Sequence, residues 1–292
     1  MKKIIFTIGA LFITANIIQA QPEKISDALK FWNNGELDKA KGAIDMASEN
    51  EQTANQAQTW YYRGFIYKEI YKKELTNPIS PTREDAVMSF KKAILLDKEN
   101  KYTKDCKVNV NFLATTFYND AVRALNSRDH KTAIISYSKY KETTRIVDPL
   151  MDMDVKDIKF YNALGSLYTG IYETDKRANE AFFIKAKDAY EKVLHIDPLE
   201  LSANYNIGIL YYNKAVDIIN GSDYDIDLVA LDDIQDTSIV LFKNSLPYME
   251  TAYKLQPENE NTLIGLSGIY FGLNELEKSN KIKEELNSIK KE

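Results

Sequence analysis

The chain has 292 residues, of which 44% are hydrophobic and 28% are charged, a composition ordinary for a globular protein. The formal net charge is −5, which disfavours nucleic acids and anionic lipids as partners because both carry negative charge. Glycine and proline are scarce, with 11 and 7 copies, which argues against a sheet protein with many turns and favours helices.

The N-terminal segment has the pattern of a cleavable secretory signal. Lys2 and Lys3 precede an apolar run from Ile4 to Ile18, and Ala20 stands before a candidate cleavage point at Gln21. The run is too short for a permanent membrane span. We therefore expect residues 1–20 to be removed between Ala20 and Gln21, leaving a periplasmic or secreted protein without a stable membrane span. A retained anchor is the alternative, because the isoleucine at position 18 is not the small residue that signal cleavage favours.

A repeated helix-pair pattern follows this segment. The units lie at roughly residues 22–50, 56–98, 109–149, 157–198, 201–257 and 259–290. The opening unit is degenerate and passes through Ala28, Phe31, Gly35, Leu37, Ala40, Ile44 and Ala47. Self-similar helix pairs in a row predict a solenoid, in which each unit packs only on its neighbours.

The first helices of three units are nearly alike. They read WYYRGFIY over Trp60–Tyr67, YNALGSLY over Tyr161–Tyr168 and NYNIGILY over Asn204–Tyr211. Each has a glycine followed three residues later by an aromatic residue. A glycine inside a helix costs roughly 1 kcal/mol against alanine, so we expect Gly64, Gly165 and Gly208 to lie where two helix backbones approach closely.

Each of these first helices is followed by a second helical pattern with its own small residue. The positions are Ala86, Phe90 and Ala93, then Ala186, Tyr190 and Val193, then Ser245, Met249 and Ala252. We expect Phe90 and Tyr190 to fill the groove toward the next pair. The dipeptides Asp148-Pro149, Asp197-Pro198 and Gln256-Pro257 predict helix ends, because proline disfavours helix in the residue before it.

The other two units are weaker. The third passes through Phe117, Ala121, Ala133 and Tyr137, and the closing unit through Leu263, Ser267, Tyr270, Leu276 and Ser279. The last helix is rich in polar residues, as expected of a terminal repeat that faces water.

The whole pattern resembles the tetratricopeptide repeat, with its W-x2-L-G-x2-Y, A-x3-F and P signature. The resemblance implies an all-α fold, an α-solenoid of about six antiparallel helix pairs forming one domain over residues 21–292, in an exported protein of bacterial, Bacteroidota-like type. Three connections depart from the family, being too long by about ten residues after Tyr67, about nine after Tyr168 and about twenty-five after Tyr211. We expect extended helices or insertions there.

In the family the first helices line a concave groove that binds ligands. The residues of this chain at the groove positions are Tyr61, Phe65, Lys68, Asn162, Ser166, Thr169, Tyr205, Ile209 and Tyr212. Tyrosine suits such a surface because it offers a large rigid ring and a hydroxyl group. If the insertions cover these side chains, they belong to the core instead. The carboxylate-clamp specificity of some family members is not carried over, because Lys107 and Asn111 have the spacing whereas Lys141 and Arg145 fall on a second helix.

Residues that could support catalysis or bind a metal are few. Neither His130 nor His195 has a plausible nucleophile at a recognisable spacing, and Cys106 is expected to be a partly buried, unreactive residue. One cysteine and two separated histidines also argue against a zinc site. The acidic segment 221–236 fails the EF-hand pattern, so we expect a solvated loop there, and we expect Asp157 to cap a helix. We therefore expect no enzyme activity, no cofactor and no metal.

These observations predict a non-catalytic protein- or peptide-binding scaffold or adaptor of the cell envelope, which binds through the groove and takes no nucleic acid. The alternative is a carbohydrate-binding helical-repeat protein of the envelope, in which exposed tyrosines stack on sugar rings. An enzyme with the insertion after Tyr211 as a lid has no set of catalytic residues behind it. The identity of the partner does not follow from the sequence.

Overall fold

The computed structural model describes residues 22–74, 77–221 and 227–290. Within these ranges the chain forms twelve helices and no strand, which confirms the predicted all-α class. The helices are α1 (Pro22–Asn33), α2 (Leu37–Glu49), α3 (Ala57–Tyr71), α4 (Pro81–Leu96), α5 (Thr103–Asn126), α6 (His130–Val147), α7 (Asp154–Tyr172), α8 (Glu180–Ile196), α9 (Leu201–Asn220), α10 (Leu228–Leu255), α11 (Glu260–Gly272) and α12 (Leu276–Ile289). The predicted signal segment 1–20 and its cleavage point lie outside the described residues.

The helices group into two compact units, one ending at Met151 and the other beginning at Asp152. Unit 1 contains the pairs α1/α2, α3/α4 and α5/α6, and unit 2 contains α7/α8, α9/α10 and α11/α12. Inside each unit the second helix of one pair contacts the first helix of the next, so each unit is a short α-solenoid. The prediction of one domain over residues 21–292 stays a prediction.

The three glycines of the repeat lie inside α3, α7 and α9 and are buried, as predicted. At Gly64 and Gly165 the nearest neighbours are aromatic side chains of the second helix, whereas at Gly208 the backbone nitrogen of Met249 also lies 3.3 Å from the position of a Cβ atom, next to the Met249 side chain. A Cβ atom at Gly64 would lie 2.6 Å from the Phe90 ring, and one at Gly165 would lie 2.5 Å from the Tyr190 ring. Phe90 and Tyr190 were expected to face the next pair, and this was wrong: each ring lies over the glycine of its own pair, because only a residue without a side chain leaves room for it.

Two serines strengthen the same crossing in other pairs. Ser245 donates a hydrogen bond of 2.6 Å to the carbonyl oxygen of Gly208, and Ser279 donates one of 2.9 Å to that of Ser267. Both hydroxyl groups are buried and stand at the position where other pairs have alanine. Their hydrogen bonds join the two helices of a pair directly.

The proline dipeptides end helices where predicted. Helices α6, α8 and α10 end at Val147, Ile196 and Leu255, and the residues before the prolines leave the helical conformation, with ψ of 98°, 98° and 80°. The long connections take two forms. A loop of several residues joins α7 to α8, and residues 72–74 and 77–80 between α3 and α4 are not helical. The third connection is mostly extension of α9 and α10 themselves.

Two local predictions were wrong. Asp157 lies in the first turn of α7, which begins at Asp154, so Asp157 is not the residue that caps the helix. The predicted acidic loop is helical from Leu228 onwards, because the Asp227 side chain accepts a hydrogen bond from the Ala230 backbone and caps α10. Residues 222–226 of that segment lie outside the described part of the chain.

A buried ion pair joins two helix pairs of unit 1. Arg83 in α4 is completely buried and donates hydrogen bonds to Asp120 of α5 at 2.6 Å and to the Tyr71 hydroxyl at 3.0 Å. Its guanidinium carbon lies 3.7 Å from the centre of the Phe117 ring. A charge buried this deeply needs such partners, so the network ties α3, α4 and α5 together.

None of the helices in ranges 22–74, 77–221 and 227–290 combines the length and the apolar character that crossing a bilayer requires.

Candidate functional site

Tyr61, Phe65 and Lys68 lie on one side of α3, as their spacing predicts, and reach the first helices on either side. The Phe65 ring lies 5.9 Å from the Trp32 ring of α1, and the Tyr61 hydroxyl donates a 3.3 Å hydrogen bond to Asp105 of α5. All three side chains are half-buried. We call the surface formed by Trp32, Tyr61, Phe65, Lys68, Asn109 and Phe112 the first-helix face of unit 1.

Lys68 is the charged group at the centre of this face. Its ammonium donates a 2.6 Å hydrogen bond to Asn109 Oδ1 and lies 4.9 Å from the Phe65 ring centre and 5.7 Å from that of Phe112. The nearest carboxylate, Glu69, is 4.0 Å away and is held more closely by Lys72 at 2.7 Å. Burial, helped by Lys72, lowers the pKa of Lys68. The face therefore holds a partly desolvated cation that is only weakly neutralised.

The ring of Tyr61 packs against other aromatic rings and is not freely exposed to solvent. Its ring centre lies 4.9 Å from that of Phe65, 5.1 Å from that of Tyr62 and 4.6 Å from that of Tyr102. Burial, with Asp105 beside it, raises the pKa of Tyr61 to about 12. Tyr61 thus holds the aromatic cluster together, while Phe112, 44% exposed, offers its ring to solvent.

In unit 2, the residues of α7 form a hydroxyl cluster. The Tyr190 ring passes over Gly165, and its hydroxyl lies 3.3 Å from Ser166 Oγ and 3.5 Å from Thr169 Oγ1. Ser166 is exposed, whereas Asn162 is half-buried with a side-chain oxygen that has no hydrogen-bond partner. The arrangement is polar and uncharged, unlike the first-helix face of unit 1.

Tyr205, Ile209 and Tyr212 of α9 are half-buried, and the last two pack against α11. A Cβ atom at Gly268 would lie 2.5 Å from the Tyr212 hydroxyl, and one at Gly265 would lie 3.6 Å from Ile209 Cδ1. Burial raises the pKa of both Tyr205 and Tyr212. The contacts of Ile209 and Tyr212 are therefore packing contacts between neighbouring first helices.

Sequence reasoning missed several residues of these faces. In unit 2, Ile264 and Phe271 of α11 are 46% and 62% exposed. They stand three residues before and four residues after Ser267, the spacing that Tyr205 and Tyr212 have around Gly208. The same spacing identifies Trp32, which lies four residues after Ala28, the small residue of α1. Phe112 does not follow this spacing, because it lies in the first half of α5, a helix that is longer than the other first helices of unit 1.

The structure places two of the residues considered for catalysis, Cys106 and His195. Cys106 is fully buried, and burial, with Asp97 and Asp105 nearby, raises its pKa to about 12, so the reactive thiolate is suppressed. His195 is exposed in the last turn of α8, as predicted. In the part of the chain that the structure describes, no group of histidine, cysteine, aspartate and glutamate residues could hold a metal ion.

No protein-family model and no curated protein matches the chain. Among solved structures, the chain is similar to a monomeric mutant of IFIT1 with m7Gppp-AAAA, at a TM-score of 0.31 and 14% sequence identity. The match covers 89% of this chain but 58% of that chain, so this chain spans less than two thirds of its length. A similarity of this degree carries no functional information, and function has to be inferred from the geometry of the faces.

Proposed function

We propose that the chain is a non-catalytic scaffold that binds a segment of a protein or peptide on the first-helix face of unit 1. The observation that carries the proposal is Lys68, a partly buried cation between two aromatic rings with an amide oxygen as its close acceptor. An acidic group on the partner would neutralise the Lys68 ammonium, and apolar side chains next to that group would cover Phe112.

The composition of the face supports a protein partner. Tyrosine, tryptophan and phenylalanine are enriched at the centres of protein interfaces, where a few anchors carry most of the binding energy. The carbohydrate-binding alternative depends on tyrosine rings open to a sugar, whereas Tyr61 contacts three aromatic neighbours and Tyr212 packs against α11.

The proposal is tested by photo-cross-linking in cells. A photo-reactive amino acid at position 112 is expected to capture one recurrent protein, and Lys68→Gln is expected to reduce that capture. Position 95 in α4, where Leu95 is 73% exposed away from this face, is the matched control. Capture of the same proteins from both positions, or capture unchanged by Lys68→Gln, would remove the site assignment. Saturable binding of a soluble glycan that is lost in Phe112→Ala would favour the carbohydrate alternative.

We also propose that the protein acts in the periplasm or outside the cell. The support is the pattern of Lys2, Lys3 and the apolar run before Ala20. N-terminal sequencing of the protein isolated from cells is expected to begin at Gln21. A mature protein that begins at Met1 and fractionates with the cytoplasm would exclude this location.

A further inference from the structure

A second surface of unit 1 lies between the second helices α4 and α6. It is a groove of about 370 Å³. Its deepest residues are Val87, Phe117 and Thr143, which are 6%, 3% and 3% exposed, and Met88 and Ile146 add apolar surface nearer the opening. The Phe117 ring is fixed from behind by the guanidinium of Arg83, so the apolar floor is rigid.

Some of the charged side chains around this groove form ion pairs and others do not. Lys139 lies 2.9 Å from Glu84 and 3.9 Å from Glu142, so these three side chains neutralise one another in large part. Lys91 and Arg145 also line the groove and are exposed. Among the residues that the structure describes, neither makes an ion pair or a hydrogen bond. Two positive charges without partners therefore border an apolar floor, in a chain whose net charge is −5.

We propose that this α4/α6 groove binds a small amphiphilic carboxylate, namely a medium-chain fatty acid. The tail would cover Val87 and Phe117, and the carboxylate would meet Arg145 and Lys91, since the planar guanidinium matches a carboxylate in shape and charge. The size favours a small molecule: sites for such ligands hold about 300–1,000 Å³, whereas a stable protein interface covers about 800 Å² on each partner. This site is separate from the first-helix face and does not depend on the function proposed for it.

The test is isothermal titration calorimetry of the full chain with decanoate below its micelle concentration. We expect saturable binding of one decanoate, weaker binding of 1-decanol, which has the same tail without the charge, and no binding of acetate, which has the charge without the tail. Arg145→Gln and Lys91→Gln are each expected to weaken decanoate binding about two- to fivefold, since both cations are solvent-exposed.

Lys92→Gln is the matched control. Lys92 neighbours Lys91 on the same helix, but its ammonium lies 3.8 Å from the Trp60 ring centre and outside the groove. Circular dichroism of each variant checks that the helices are retained. The proposal is overturned if 1-decanol binds as tightly as decanoate, if Lys92→Gln weakens binding as much as Lys91→Gln, or if no saturable heat is seen. An acidic, apolar peptide that binds more tightly and needs Arg145 would reassign the groove to peptides.

Discussion

The two units use the same helix-pair plan, but different contacts hold α4 to α5 in unit 1 and α9 and α10 to α11 in unit 2. In unit 1 a buried charge does so: Arg83 of α4 reaches Asp120 and Thr116 of α5. In unit 2 the junction of α9, α10 and α11 depends on apolar side chains that fit against glycines. Met249 lies beside both Gly208 and Gly265, and Tyr212 beside Gly268.

The surfaces formed by the first helices of the two units differ as well. Unit 1 presents Lys68 and the exposed Phe112, whereas in unit 2 Ile209 and Tyr212 are used in packing between α9 and α11. Where Gly265 and Gly268 let α9 and α11 pack closely, the groove positions of α9 are filled from within the protein, whereas Ile264 and Phe271 of α11 stay exposed. Where polar contacts hold the helices, a cation and a ring remain available to a partner. Unit 1 differs in presenting the partly desolvated ammonium of Lys68 beside its exposed ring, and this difference predicts that the face of unit 1 binds.

The largest expected effect comes from breaking the buried ion pair of unit 1. Asp120→Ala leaves the guanidinium of Arg83 buried without its carboxylate and is expected to lower the free energy of unfolding by about 3–5 kcal/mol. The double variant Arg83→Met with Asp120→Leu is expected to recover most of this loss, because apolar residues of similar volume remove the uncompensated charge. Chemical denaturation of the full chain measures both.

Arg123→Gln is the matched control for that experiment. Arg123 pairs with the other oxygen of Asp120, but its side chain is 66% exposed, so its loss is expected to change stability by less than about 1 kcal/mol. An Asp120→Ala variant no less stable than Arg123→Gln would mean that the buried pair does not hold α4 to α5.

Overpacking a glycine is expected to have the next largest effect. Gly165→Ala places a methyl group 2.5 Å from the rigid, buried Tyr190 ring, and we expect it to lower stability by about 1–3 kcal/mol. Gly42→Ala in α2 has nothing within 4 Å of the new methyl group and is expected to stabilise by about 0.5–1 kcal/mol. The thermal unfolding temperatures of both variants test whether the two substitutions change stability in opposite directions. Equal shifts of the same sign would show that the crossing tolerates a side chain.

A smaller, pH-dependent effect is expected where α5 begins. Asp97 accepts hydrogen bonds of 2.7 Å from the Tyr102 and Thr103 backbone groups and from the Thr103 hydroxyl. Burial would raise the pKa of Asp97, but these bonds outweigh it and hold the pKa below its usual range. A carboxylate with a lowered folded-state pKa stabilises the fold above its unfolded pKa, and this contribution is lost as pH falls through the folded pKa.

Asp97→Ala is therefore expected to lower stability by about 1–2 kcal/mol at neutral pH and by less as the pH falls below about 4. The counterpart in unit 2 is Asn259, whose amide oxygen accepts from Thr262 at 3.0 Å and does not titrate. Asn259→Ala should have the same effect at both pH values. Denaturation curves at neutral and acid pH would contradict this interpretation if the two variants responded to pH alike.

Much of the fold followed from the sequence because its determinants are local. Proline dipeptides end α6, α8 and α10, and the spacing of small residues identifies the pairs. The ion pair of unit 1 could not be predicted in this way. Asp120 lies between packed residues of α5, next to Ala121, but its partner Arg83 is 37 residues away in the sequence. A single sequence does not say which distant charge meets it.

The spacing of the groove residues along α3 was predictable from the sequence, but their exposure was not. The spacing around Gly64 placed Tyr61, Phe65 and Lys68 correctly on one side of α3, and the same spacing around Ser267 would have given Ile264 and Phe271. Whether a groove residue stays open depends on the next first helix. The α11 glycine at position 268 admits the Tyr212 hydroxyl, and that fit requires knowledge of how α9 and α11 lie together.

The smallest effect on stability is expected for a substitution of Lys68. This variant is also the most direct test of the difference between the two units. Lys68→Met replaces a desolvated ammonium, whose close acceptor is the neutral Asn109 amide, by an apolar side chain of similar length, so we expect a change within about 1 kcal/mol. Tyr212→Ala in unit 2 removes a packed ring and is expected to cost about 1–3 kcal/mol. Cross-linking from position 112 should be lost in the first variant and kept in the second. The reverse pattern, a Lys68 variant that unfolds easily yet keeps its partner, would make unit 1 the packed face and move the binding surface to unit 2.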